Sequence, residues 1–164
     1  MASHGARNLA LAAAVAALLG GCAKPVAESA FDVGASRGAE ADLAGKPQDF
    51  IALGDRVLFE ADSAELSPAA QATLDKQARW LVQHARHALT VEGHSDDRGA
   101  REYGFALGAR RAEVAKAYLV SQGVDAARIR TIAYGKERPV ATCDDDSCWS
   151  QNRRATTVLG GGRS

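Results

Sequence analysis

Net charge is absent from this chain: 20 Lys and Arg are balanced by 20 Asp and Glu across 164 residues. That balance lacks the basic footprint by which a nucleic-acid-binding protein gathers phosphates. Aromatic residues make up only 5% of the sequence, and the apolar content of 46% rests mainly on small and aliphatic side chains. Such a composition suits a compact α/β domain, and the length allows at most one ordinary domain plus appendages. A membrane-spanning stretch is missing as well. The longest apolar run, Leu9 to Leu19, is about half of what a bilayer-crossing helix needs. Cysteine is scarce, with three residues at Cys22, Cys143 and Cys148. No metal site follows from the histidines: His84 and His87 have helical spacing, but no carboxylate or cysteine stands at a ligand distance beside them. They are expected as solvated residues at a helix end, and no cofactor is expected.

What is present begins with an address. Arg7 supplies a positive n-region, the apolar run follows, and Leu19-Gly20-Gly21-Cys22 resembles a bacterial lipobox. The expected product of residues 1–21 as signal peptide is a chain starting at acylated Cys22, and multiple acyl chains suffice for stable attachment to lipid. Ala23 follows where an inner-membrane retention signal would carry Asp, so the outer membrane is the expected destination. Residues 22–52, rich in Ala, Gly, Asp, Glu and Ser, have no sustained period and read as a tether. Some thirty flexible residues have a root-mean-square span of about 30 Å. With Cys22 acylated, Cys143 and Cys148 remain in an oxidising compartment, where a disulfide is the natural state.

The globular domain is expected over 53–160, with a loose glycine-rich tail at 161–164. Arg56 to Glu60 reads as a first strand, and Ser67-Pro68 opens a helix with an N-cap serine and a first-turn proline. Leu89 and Val91 alternate with Thr90 and Glu92 as a second strand, which Gly93 ends. A polar turn, His94 to Gly99, feeds a long helix from about Arg101 to Ser121, closed by Gly123. Ile129 to Tyr134 reads as a third strand, Gly135 to Gln151 as a long irregular loop, and Arg154 to Leu159 as a last strand. The order is βαβαββ, an α/β (α+β) arrangement that asks for helices packed on a sheet.

On a helical wheel the second helix sets Arg110 and Arg111 apart. Arg110 falls on the water side, whereas Arg111 lies inside the apolar arc with Leu107, Ala115 and Leu119. A guanidinium stays charged and is costly to bury unless it meets an anion. The nearest candidate is the acidic turn, which brings Asp96 toward Arg111. One carboxylate and one guanidinium would hold the two ends of a zwitterion such as an amino acid; the alternative is a structural ion pair beneath the helix.

The strings GHSDDRG, EYGFALGARRAEVAKAYL, GVDAARI, YGKERP and QNRRA, in this order from about Val57 to Leu159, resemble the OmpA-like C-terminal domain family, within it the peptidoglycan-associated lipoproteins. The resemblance implies a mixed four-stranded sheet with its helices on one face. It implies that Asp96 takes the amine and Arg111 the carboxylate of diaminopimelate in the peptidoglycan stem peptide. It adds Asp62 and Asn152 to the pocket, together with one arginine of the Arg153-Arg154 pair. An alternating strand cannot turn both inward, and Arg154 is the expected one. A TolB-like periplasmic propeller is the implied protein partner, within the Tol–Pal system of envelope integrity and cell division; an OmpA-like lipoprotein outside that system is the alternative. One departure matters: where the family usually has Tyr-Asn, with an amide that helps to bind the ligand, this chain has Tyr103-Gly104.

Two other classes are set aside. His94, Ser95, Asp96 and Asp97 are residue types found in hydrolases, but adjacent residues on a turn splay apart and no third group is placed to orient a base. No enzymatic activity is expected. A flagellar stator protein, which uses the same domain, needs a spanning helix, and the one apolar segment here reads as a cleavable signal.

Overall fold

The structure, a computed structural model, describes residues 45–160. The expected signal peptide, the acylation site at Cys22, most of the tether and the tail at 161–164 lie outside the described residues. A short helix, α1 (Pro47–Ala52), leads into β1 (Arg56–Leu58), α2 (Pro68–Gln83), β2 (Leu89–His94) and α3 (Arg101–Ser121). A 3₁₀ turn at Ala126–Arg128, β3 (Ile129–Gly135), α4 (Asp146–Asn152) and β4 (Arg154–Leu159) complete the domain. No described helix is long and apolar enough to cross a membrane.

The strands form one mixed sheet in the order β1-β4-β2-β3. β2 and β3 run parallel, as the intervening α3 requires, whereas β4 enters antiparallel between β1 and β2. The last strand therefore lies between the first two and pairs with both. Register places Val57 opposite Ala155 and Ala155 opposite Gly93, so these three share a face. Both long helices cover that face. Gln77 of α2, fully buried, donates to the Gly54 carbonyl and accepts from the Thr157 hydroxyl of β4, which satisfies its amide. Leu74 and Leu81 of α2, Ala112, Ala115 and Leu119 of α3, and Val57, Leu89 and Val91 form one core.

Local signals explain the helix ends. The Ser67 hydroxyl accepts from the Ala70 amide and Pro68 occupies the first turn of α2, a cap worth about 1 kcal/mol. Past the C-terminus of α3, Gly123 adopts φ +95°, the left-handed region that glycine enters freely. Where α3 crosses β2 the two backbones touch at glycines. A Cβ on Gly93 would stand 1.8 Å from the Gly108 carbonyl oxygen, so no side chain fits.

Three expectations change. Ordered structure starts inside the stretch read as tether, because Phe50 of α1 is buried against Trp80 with ring centroids 5.2 Å apart. The stretch read as an irregular loop contains α4, capped by the Asp145 carboxylate, which accepts from the Ser147 amide. His84 and His87 are half-buried and pack on Trp80 at centroid distances of 4.1 and 5.2 Å, so aromatic contact decides their place.

Candidate functional site

One end of β2 gathers the charged groups. Gly93 and His94 end the strand with a register shift against β3, and the Ser95 amide is tied to the Gly135 carbonyl at 2.9 Å. The following turn presents Asp96. α3 delivers Arg111 from beside the turn, the end of α4 delivers Arg153, and the loop after β1 delivers Asp62. Asp62 is the one non-glycine among the described residues with positive φ, at +51°. Aspartate tolerates this conformation better than most residues, and the Tyr103 hydroxyl reaches its carboxylate at 3.4 Å.

Arg111 is 0% exposed, and the apolar arc on which it lies is indeed the buried face of α3; Arg110 is exposed. Its partners are three backbone carbonyls. Nε donates to Ser63 at 2.8 Å, Nη1 to His94 at 2.9 Å and Nη2 to Glu60 at 2.9 Å. A guanidinium has about five N–H donors, so two remain without an acceptor among the described residues. No direct ion pair joins Arg111 to Asp96 among the described residues. The ion pair beneath the helix is thus replaced by carbonyl dipoles, which fix the guanidinium without neutralising it. Burial pushes its pKa down to about 10, against the attraction of Asp96, and it stays charged at neutral pH.

Asp96 pairs with arginines. Nη2 of Arg98 bonds its Oδ2, the Arg98 amide reaches Oδ1 at 3.4 Å, and Nη1 of Arg153 lies 3.5 Å from Oδ2. Burial alone would raise the carboxyl, but the bonds and charge of Arg98, with a smaller part from Arg153, hold it below the usual carboxylate range. Arg153 also donates to the Phe59 carbonyl at 3.1 Å and to Asp146 of α4 at 3.0 Å.

Arg154, the arginine expected in the pocket, points elsewhere. It donates to the Arg138 carbonyl at 3.0 Å, and Arg153 stands beside Asp96 in its stead. Alternation sets this outcome: Ala155 and Thr157 face the helices, so position 153 lies on their side of the strand and position 154 on the other. Asn152 is buried, and both ends of its amide are engaged. Oδ1 accepts from the Val140 and Ala141 amides and Nδ2 donates to the Ala141 carbonyl, so Asn152 fastens the loop before α4.

Sequence reasoning missed Arg98 and Trp149. The Arg98 guanidinium lies over the Trp149 ring, 4.5 Å from its centroid. The signal for Arg98 was its place two residues after Asp96, within reach of the same carboxylate. Cys143 and Cys148 form the expected disulfide. It closes on the first turn of α4, next to Trp149 and two residues from Asp146, and so anchors two groups of the cluster. Gly104 faces inward: a Cβ there would stand 2.8 Å from the Ser95 hydroxyl oxygen, which is itself buried without a partner among the described residues. Among the described residues no cluster of His, Cys, Asp and Glu could hold a metal ion.

Comparison with known proteins places this chain in a family. A model of the OmpA family matches residues 58–154. The chain is 53% identical over 161 residues to the peptidoglycan-associated lipoprotein of Rhizobium meliloti, covering 97% of this chain and 92% of that protein. The crystal structure of the peptidoglycan-associated lipoprotein from Burkholderia pseudomallei superposes with a TM-score of 0.67 at 36% identity, over 73% of this chain and 100% of that one. The C-terminal domain of Helicobacter pylori MotB shares the fold alone, at 22% identity and a TM-score of 0.60 over 66% of this chain and 85% of that one.

Proposed function

Since the chain belongs to the OmpA family, among the peptidoglycan-associated lipoproteins, we propose that the site at Asp96 and Arg111 binds the diaminopimelate of the peptidoglycan stem peptide. The observation that carries the reading is Arg111: a fully buried guanidinium, positioned by three carbonyls, with no carboxylate of its own among the described residues. Its two remaining N–H groups suit a ligand carboxylate, and a planar fork offers more directional bonding than an ammonium. Asp96 receives the ligand ammonium, while Arg153 and Asp62 line the same place. The interaction is reversible, and no covalent step is involved.

With Cys22 acylated in the outer membrane and the domain in the periplasm, such binding ties membrane to wall. A TolB-like propeller acting on this surface within the Tol–Pal system is the corresponding protein partner, with a role in envelope integrity and cell division. Copurification of a periplasmic β-propeller with the tagged chain tests that part; its consistent absence would favour an OmpA-like lipoprotein outside the system.

Pull-down on purified sacculi tests the site. Asp96→Asn and Arg111→Lys each remove one charged, directional contact, worth about 1.5–3 kcal/mol, and should weaken binding roughly tenfold or more. Arg110→Ala, on the exposed side of α3, should bind normally. If Arg111→Lys retains full binding while Arg110→Ala loses it, the assignment fails.

A further inference from the structure

We propose that Arg98 is a built-in competitor for the ligand ammonium, a latch that closes Asp96 and must be displaced when the ligand binds; this rests on the reading that Asp96 receives that ammonium. The guanidinium of Arg98 bonds Oδ2 of Asp96 while its own amide reaches Oδ1. Arg153 approaches the same Oδ2 at 3.5 Å. A ligand ammonium would be a third cation on one carboxylate, and like charges at such distances repel. The ammonium therefore competes with an arginine for Oδ2.

The surroundings decide which one. The Arg153 side chain is 6% exposed and pinned at both ends, by the Phe59 carbonyl and by Asp146. The Arg98 side chain is 43% exposed and has no other hydrogen bond among the described residues. It also has somewhere to go. The Trp149 ring lies beneath it, and Asp62 and Asp146 both attract it, so a displaced guanidinium stays within an acidic and aromatic margin. Ligand binding at Asp96 is then an exchange of one cation for another. The open site is only a fraction of the population, and apparent affinity is reduced by that fraction for every ligand whose ammonium needs Asp96.

The experiment measures calorimetric affinity of the full chain, purified in detergent, for a tripeptide ending in meso-diaminopimelate. The proteins are the wild type, Arg98→Gln, Arg98→Lys, Asp96→Asn and the double variant Asp96→Asn/Arg98→Gln. Arg98→Gln should bind about two- to fivefold tighter, the range over which an exposed ion pair competes. Arg98→Lys should fall between it and the wild type. The gain should vanish when Asp96 is already Asn, which separates relief of competition from a general change of charge. Thermal melts verify that each variant is folded. If Arg98→Gln binds equally or more weakly while the wild type binds and Asp96→Asn binds roughly tenfold more weakly, the latch is overturned and the proposed function stands. If the folded wild type does not bind the tripeptide, the proposed function fails and the latch with it.

Discussion

His94 is 1% exposed, and neither ring nitrogen meets a hydrogen-bond partner among the described residues. The ring stacks on Tyr134, centroids 5.5 Å apart, and Nε2 lies 3.9 Å from the Glu92 carboxylate. Burial first, then the positive charges of Arg154 and Arg138, lower its pKa from 6.5 to about 3. Between those two values the unfolded chain takes up a proton that the folded chain refuses. The stability from this group is complete above about pH 6.5 and declines as the pH falls toward 3, at about 1.4 kcal/mol per pH unit. His94→Phe keeps the stacked ring and the backbone carbonyl that Arg111 uses. Denaturant titrations of this variant should show a much flatter stability between pH 6.5 and 4, with the acid sensitivity that remains coming from Asp96 and Asp145, whose carboxyls are held below the usual range. An unchanged slope would mean that His94 already titrates in the folded state. Burial of Arg111 was legible at this scale, because a charged residue interrupting an apolar arc is visible on a wheel. The orphaned state of His94 was not, since it depends on Tyr134 and Arg154, which arrive from distant strands.

Among the elements, α4 was hidden and its staple was not. Cysteine arithmetic finds the Cys143–Cys148 disulfide whatever the loop does between them, whereas a seven-residue polar helix carries too little periodicity to stand out. The available signal was Asp145 two residues before Ser147, the pattern of a helix cap. The disulfide holds the element that supplies Asp146 to Arg153 and Trp149 to Arg98. Cys148→Ser should therefore lower stability by about 2 kcal/mol, as expected for so small a closed loop. It should also weaken sacculus binding, although neither cysteine belongs to the proposed binding cluster. Chemical denaturation and pull-down on the same preparation test both; a loss of stability with full binding would separate α4 from the site. The crossing of α3 over β2 was half legible. Gly93 read as the end of a strand, but its close approach to Gly108 appears only once helix and sheet are packed.

For the whole molecule, the alternation of strands and helices disclosed the βαβαββ order, and the family resemblance implied a mixed sheet. Position 153 against 154 was legible in principle from the parity of Ala155, but only with knowledge of which face the helices cover. The placement of β1 has a mechanical consequence. It is an edge strand of three residues, paired among the described strands with β4 alone, and it lies on the chain side that leads back toward residue 45. Directly after it come Glu60 and Ser63, whose carbonyls hold Arg111. Tension applied through the N-terminal side would load α1 and then peel β1 from the sheet, drawing two of the three carbonyls away from the guanidinium. Optical-tweezer pulling from that side against immobilised sacculi should shorten the bound lifetime more steeply than pulling from residue 160. Because Val57 of β1 is a core residue, the pull that opens this grip would also begin to loosen the packing beneath α2.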